Sequence, residues 1–197
     1  MAPPTRQSGF TLIELLIVVA LLSMVAGMII SRANPTLRDQ LEGAAEVVAG
    51  DLALARSLAV ANDSSYRITF DLTTNQYVLQ HSGTNPALNN LPRSPFALPS
   101  DPATQHIVRF ANLPHLGGAA RLHAVRALST SPQAVTDIEF GPLGETTRPE
   151  ETQVWLAASV GDVTRYLSVR VNPVTGLTWI ENFQARDPLV PSGGSGS

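Results

Sequence analysis

The sequence predicts an α+β protein in which a long N-terminal helix precedes a series of β-strands. Three observations lead to this class. Residues 10–30 are apolar almost throughout, residues 37–59 place apolar side chains at steps of three and four, and apolar and polar residues alternate from Ser64 onward. Steps of three and four are typical of one face of a helix, whereas alternation is typical of a strand. The length of 197 residues predicts one domain beyond the first helical segment.

The apolar run from Phe10 to Ile30 contains a single charged residue, Glu14. At 1.5 Å per residue, a helix over this run is about 30 Å long, which matches the hydrocarbon core of a bilayer. We therefore expect residues 1–9 to be a polar leader and residues 10–31 to span a membrane. An uncleaved signal anchor is one alternative. A secretory signal peptide fits less well, because its apolar run is shorter and is followed by a small-residue cleavage site.

Glu14 favours an assembling helix over a plain anchor. A carboxylate within a spanning helix costs about 2.5–3.5 kcal/mol on insertion scales, and such residues usually have a partner and a function. A helix that packs against copies of itself could pair this carboxylate with the N-terminal amine of a neighbour.

Residues 9–19, Gly9-Phe10-Thr11-Leu12-Ile13-Glu14-Leu15-Leu16-Ile17-Val18-Val19, resemble the class III signal of type IV pilins and type II secretion pseudopilins. They match the pattern G-F-T-L-[IVL]-E of that family at every position. The resemblance implies that a prepilin peptidase cleaves after Gly9 and that Phe10 then becomes an N-methylated N-terminal residue. It also implies that Phe10 and Glu14 set the alignment of subunits during assembly. The expected location is the inner membrane, with a single span and the C-terminal domain in the periplasm.

Composition narrows the expected partners. The net charge is −3, every basic residue is an Arg, and Cys is absent. A mildly acidic domain has no bulk electrostatic reason to bind nucleic acid. An exported domain without Cys must hold its fold without disulfides. Many type IV pilins close a C-terminal loop with a Cys pair, so the absence of Cys favours pseudopilins and minor pilins.

The remaining chain is predicted as an amphipathic helix followed by strands, within a periplasmic domain at 32–190. Asn34-Pro35 predicts a kink before the helix at 36–61. Tyr66, Ile68 and Phe70 begin a hairpin with a second strand at 76–80. Five prolines predict a long surface loop at 81–104. Further strands are expected at 105–110, 120–128, 136–140, 153–160, 163–171 and 177–180, and a disordered tail at 191–197. Gly161-Asp162 predicts a tight hairpin between the strands at 153–160 and 163–171.

The strand at 163–171 is expected to have one solvated face. Leu167, Val169 and Val171 alternate with Ser168 and Arg170, as in a sheet with one face toward water.

Three short segments sharpen the resemblance. Residues 51–57 resemble the "ARS" region of the GspH/FimT group, while residues 140–144 and Thr175-Gly176 match its F-x-P-x-G and terminal T-G turns. The resemblance implies a pilin-like fold, with the long helix packed on antiparallel β-sheets. DNA-binding FimT relatives carry Arg at the terminal Gly turn, where Leu177 stands here.

Possible chemical sites are few. The four His residues (His81, His106, His115 and His123) match no dense metal-ligand spacing. A Ca²⁺ site is conceivable at Asp137, Glu139, Glu145, Glu150 and Glu151, but solvated carboxylates are favoured because no ligand loop is present. Trp155 and Trp179 are expected in the core, and Arg56 is explained by the dipole at a helix C-terminus. No nucleophile elbow or phosphate loop occurs, so the sequence predicts no enzyme, cofactor or metal.

The leading functional hypothesis is a minor pseudopilin of a type II secretion system. It would assemble with other pseudopilins into a periplasmic filament that drives export of folded proteins, with neither nucleic acid nor a small-molecule substrate as partner. One alternative is a minor type IV pilin of the FimT/FimU kind, in pilus priming or DNA uptake. Another, from a different class, is a signal-anchored periplasmic enzyme.

Overall fold

The computed structural model describes residues 11–30, 36–113 and 119–190. The chain divides into two compact units, residues 1–35 and residues 36–197, and each is described by itself. The predicted kink at Asn34-Pro35, the expected tail at 191–197 and His115 lie outside the described residues.

The first unit contains one helix, α1, from Leu12 to Ile30. Its described side chains, from Leu12 to Val25, are all exposed. Among the helices in the described part of the chain, none is long and apolar enough to cross a membrane. The structure therefore does not confirm the predicted span at 10–31, whose terminal residues Phe10 and Ser31 are not described.

The second unit begins with helix α2, from Leu37 to Ala61. A capping box starts it, because the Thr36 side chain accepts from Asp39 N and the Asp39 carboxylate accepts from Thr36 N at 2.9 Å. Asn62 caps its C-terminus, and Asp63 follows with a φ of 46°. The apolar stripe predicted from the sequence is buried except at Leu37, which is half-buried.

Nine antiparallel strands form two sheets within the part of the chain that the structure describes. Sheet A has the order β3-β2-β1-β6, and sheet B has the order β5-β4-β7-β8-β9. The strands are β1 (Tyr66–Asp71), β2 (Gln76–His81), β3 (His106–Arg109), β4 (Ala120–Ala127), β5 (Gln133–Ala134), β6 (Asp137–Phe140), β7 (Thr152–Val160), β8 (Val163–Val171) and β9 (Thr178–Ile180). The predicted β1–β2 and β7–β8 hairpins are confirmed, whereas β5 was not predicted.

Helix α2 packs on both sheets, and their facing side chains form one core. Leu41, Leu52, Ile68, Phe140 and Leu156 are among its fully buried members. The predicted class, a helix packed on antiparallel β-sheets, is confirmed.

The outer face of sheet B is not the solvated face that the alternation in β8 predicted. Ser168 is fully buried, and Trp155 is buried as expected. Gln184 exchanges two 2.9 Å backbone hydrogen bonds with Tyr166, which extends the sheet beside β8. Asp187 then interacts with Tyr166 on β8 and with His123 on β4, so the C-terminal segment crosses part of this face. The prediction for Trp179 is wrong, since this residue lies on the edge strand β9 and is 38% exposed.

The proline-rich loop is ordered by specific contacts rather than by regular structure. It contains one short 3₁₀ turn, Pro86–Leu88, and Phe96 packs against the core. Arg109 on β3 donates two hydrogen bonds, at 2.9 and 2.8 Å, to the carboxylate of Asp101. These bonds hold the pKa of Asp101 at about 2. The loop therefore stays anchored to sheet A at neutral pH.

Candidate functional site

The N-terminal segment, residues 9–19, carries the predicted assembly residues. Thr11 precedes α1, and its hydroxyl accepts a 3.3 Å hydrogen bond from Glu14 N. Glu14 lies exposed in the first turn, where a carboxylate is stabilised by the positive end of the helix dipole. Gly9 and Phe10 lie outside the described residues, so cleavage after Gly9 and the pairing of Glu14 with the Phe10 amine of a neighbouring subunit remain predictions.

The surface of α1 is apolar around its circumference. From Leu12 to Val25 the described polar side chains are Glu14 and Ser23, and the Ser23 hydroxyl donates to the carbonyl oxygen of Val19 at 2.8 Å. Ser23 is thus satisfied within the helix. A helix that is apolar all round is stable only when lipid or other protein covers it.

Arg56 joins the three segments that carried the resemblance to the GspH/FimT group. From the last part of α2, its Nε donates a 2.6 Å hydrogen bond to the carbonyl oxygen of Thr175. Gly144 and Gly176 have φ angles of 85° and 62°, and both lie against the Arg56 side chain. A Cβ on Gly176 would stand 2.0 Å from the carbonyl oxygen of Gly144. Only glycine permits this approach, so we call Arg56, Gly144, Thr175 and Gly176 the turn junction.

Sequence analysis missed the turn junction, since it explained Arg56 by the helix dipole alone. The "ARS" and T-G patterns were the available signals, but no local pattern shows that Arg56 contacts a residue 119 positions away. The junction fixes two turns at the C-terminal end of α2. Its contacts stabilise the fold at that end of the helix.

A second buried cluster connects α2, sheet A and the proline-rich loop. His106 is 3% exposed, and its Nε2 lies 3.2 Å from Asp51 Oδ1 while its Nδ1 lies 3.1 Å from the carbonyl oxygen of Pro92. The other carboxylate oxygen of Asp51 accepts from the Tyr77 hydroxyl at 2.5 Å. Both ring nitrogens of His106 face oxygen acceptors, and only the imidazolium carries a proton on each. Burial lowers the pKa of His106, but the hydrogen bond and charge of Asp51 and the Pro92 carbonyl outweigh it and raise the pKa overall.

This cluster predicts a pH dependence of stability. Because the folded pKa of His106 is raised above its ordinary value of about 6.5, its contribution is fully present below that pH and is lost as the pH rises through the folded pKa. The unfolding free energy of the wild-type protein should therefore decrease across this window. Urea titrations at a series of pH values provide the measurement. His106→Gln and Asp51→Asn should each flatten this part of the profile, and an unchanged profile in both would contradict the protonated pair.

The predicted solvated carboxylates are mostly ion-paired. Asp137 binds Arg148 and lies 3.5 Å from Arg67, while Glu139 lies 3.1 Å from Arg67. Glu151 pairs with Arg170 at 3.2 Å. The interpretation as free, solvated groups is wrong for these three residues, because sequence spacing did not reveal their Arg partners on other elements.

The described His residues are dispersed among separate contacts. His81 bridges the Ser64 hydroxyl and the Asn89 carboxamide at 2.7 and 2.8 Å, whereas His123 lies 3.0 Å from Asp187. Within residues 11–30, 36–113 and 119–190, no three His, Asp or Glu side chains are grouped to hold a metal ion.

Comparison with known proteins identifies the N-terminal segment. Residues 4–30 match the family profile described as the prokaryotic N-terminal methylation motif. No curated protein sequence matches this chain.

Two solved structures resemble the chain at low identity. The type IV minor pilin FimU of Pseudomonas aeruginosa is 19% identical, with a TM-score of 0.43, and the match covers 72% of this chain and 93% of FimU. The minor pseudopilin EpsH of the type 2 secretion system of Vibrio cholerae is 13% identical, with a TM-score of 0.45, and the match covers 73% of this chain and 97% of EpsH. Neither likeness assigns a function here; what is shown is that the chain carries a prepilin-type N-terminal methylation motif.

Proposed function

We propose that this chain is a minor pseudopilin of a type II secretion system, anchored in the inner membrane and assembled into a periplasmic filament that drives export of folded proteins. The observation that carries the proposal is the methylation motif at residues 4–30, which includes the whole of the apolar helix α1. Cleavage after Gly9 by a prepilin peptidase would leave Phe10 as the methylated N-terminus. The second unit would then be the periplasmic domain.

Assembly follows from the chemistry of α1. Its exposed apolar side chains must be buried against lipid or protein. When the helix leaves the lipid, the α1 helices of neighbouring subunits would bury them. Glu14 is costly in an apolar surrounding unless it is paired. The amine of a neighbouring subunit's first residue is a partner of the right charge, and pairing with it would fix the stagger between subunits.

Charge supports secretion over DNA uptake. The chain carries 13 basic against 16 acidic side chains. Near the terminal Gly turn, Arg170 is paired with Glu151 and Glu181 at 3.2 and 2.7 Å. A guanidinium already held by two carboxylates is poorly placed to neutralise a phosphate.

Deletion of the gene in its own host tests the proposed system. We expect folded exoproteins to accumulate in the periplasm while surface pili persist, and wild-type chain supplied in trans should restore export. Loss of pili with normal export would instead assign the chain to a type IV pilus.

The same proposal predicts that a fragment from Ser31 onward shows no salt-sensitive binding to duplex DNA at micromolar concentration. A DNA-binding surface needs several Lys or Arg side chains that are not paired with carboxylates. The slope of the logarithm of affinity against the logarithm of salt concentration is proportional to the number of phosphates that these side chains neutralise. Gel shifts at low salt provide the measurement. A low-micromolar Kd that weakens steeply with added salt would favour the minor type IV pilin.

A further inference from the structure

An open cleft lies on the outer face of sheet B, between β9 and the C-terminal segment. Its volume is about 440 Å³, within the range of small-molecule sites. The lining residues are Gln153, Arg170, Trp179, Ile180, Glu181, Asn182 and Gln184. The proposed filament assembly assigns no role to the cleft.

The charges that line the cleft are already neutralised. The Arg170 guanidinium lies 2.7 Å from Glu181 and 3.2 Å from Glu151, and it also lies 5.9 Å from the centre of the Trp179 ring. Arg170 and Glu181 are the two charged residues in the lining, and they pair with each other, so the lining carries no net charge. The cleft therefore suits a neutral ligand.

The floor of the cleft is rigid and polar. Gln153, which is 6% exposed, donates to Ser168 Oγ at 3.2 Å and also to Glu181. Ser168 donates to Glu181 at 2.7 Å, and the buried Trp155 donates to Gln153 at 2.9 Å. These bonds, together with the ion pair to Arg170, engage both oxygens of the Glu181 carboxylate and hold it in one orientation.

Two side chains that line the cleft have carboxamides available to bind a ligand. Asn182 and Gln184 are exposed, and their carboxamides form no hydrogen bond within the part of the chain that the structure describes. Each carboxamide offers both donors and acceptors, which suits the paired hydroxyls of a sugar. Trp179 adds a partly exposed aromatic surface, on which the C–H face of a sugar ring can pack.

We propose that this cleft binds a neutral oligosaccharide, with Trp179 stacking on a sugar ring and Asn182 and Gln184 binding its hydroxyls. A charged ligand is disfavoured because Arg170 and Glu181 are already paired, and a purely apolar ligand would leave the two carboxamides without partners. Because the cleft is open and encloses little of a ligand, we expect weak binding.

Saturation-transfer NMR tests the proposal on the full chain, held in a detergent without a sugar headgroup. The probes are cellobiose and N,N′-diacetylchitobiose. We expect saturation of at least one probe, strongest at the C–H protons of one ring face. Trp179→Ala should weaken binding at least tenfold, whereas Trp179→Phe should retain most of it.

Matched carboxamide variants separate recognition from folding. Asn182→Ala and Gln184→Ala should each weaken binding about fivefold, as expected for loss of an ordinary hydrogen bond. Asn90→Ala, which removes an exposed carboxamide in the proline-rich loop, should leave binding unchanged. Near-ultraviolet circular dichroism should match wild type in every variant. The proposal is overturned if neither sugar is saturated, or if Trp179→Ala binds as well as wild type.

Discussion

Replacement of Gly176 by Ala should destabilise the second unit by about 2–4 kcal/mol, a large part of the stability of an ordinary domain. Two costs add together. The residue adopts a φ of 62°, which a side chain rarely tolerates, and the new Cβ would stand 2.0 Å from the Gly144 carbonyl oxygen and 2.9 Å from Arg56 Cδ. The turn junction would have to open, which would lengthen the bond from Arg56 to Thr175. Thermal unfolding should show a midpoint lower by about 5–15 °C.

Gly161→Ala is the matched control for this variant. Gly161 lies in the β7–β8 turn with a φ of 57°, but a Cβ added there would meet no atom within 4 Å beyond its own chain neighbours. It should therefore show only the backbone cost, about 1 kcal/mol. Equal destabilisation by the two substitutions would show that the close approach in the turn junction contributes nothing.

Glu14→Ala should leave cleavage and membrane insertion intact but remove most incorporation into filaments. Removing the carboxylate eases insertion into lipid, while the amine of the neighbouring subunit loses its counter-charge within the assembly. Cysteine crosslinking between neighbouring α1 helices measures incorporation, and the absence of native Cys makes introduced pairs specific.

Ser23→Ala serves as the control for Glu14→Ala. Its hydroxyl is bonded within α1, to the Val19 carbonyl oxygen, so its removal should leave crosslinking at the wild-type level. Wild-type crosslinking and export in the Glu14→Ala variant would show that Glu14 has no part in alignment.

The sequence predicted the elements that depend on local patterns. The apolar period along α2 and the alternation in β1 and β8 are properties of neighbouring residues. These signals survive folding because one face of each element packs into a shared core.

The errors arose where burial depends on distant segments. Ser168 alternates with apolar residues as if it faced water, yet it is fully buried, and its hydroxyl is hydrogen-bonded to Glu181 and Gln153 in place of water. Trp179 is a large aromatic residue of a kind usually buried, but it is partly exposed because β9 is an edge strand. Arg56 likewise showed no sign of its partner on a distant turn. Sequence patterns show which residues share one face of a helix or strand. Which of those faces is buried depends on tertiary contacts with distant segments.

Among the predicted site residues, Glu14 is placed in the first turn of α1, while the roles of Gly9 and Phe10 rest on the motif. The motif could be recognised from the sequence because a charged residue such as Glu14 is unusual within an apolar run. The turn junction and the cleft beside Trp179 could not be predicted from the sequence, since residues from separate elements form both of them.

The most direct test of the prepilin-type assignment is the intact mass of the protein extracted from membranes of its host. In cells with active prepilin peptidase, the mass should correspond to a chain that begins at Phe10 and carries one added methyl group. In cells without the peptidase, residues 1–9 should remain attached. A chain that retains Met1–Gly9 in the presence of active peptidase would contradict the assignment.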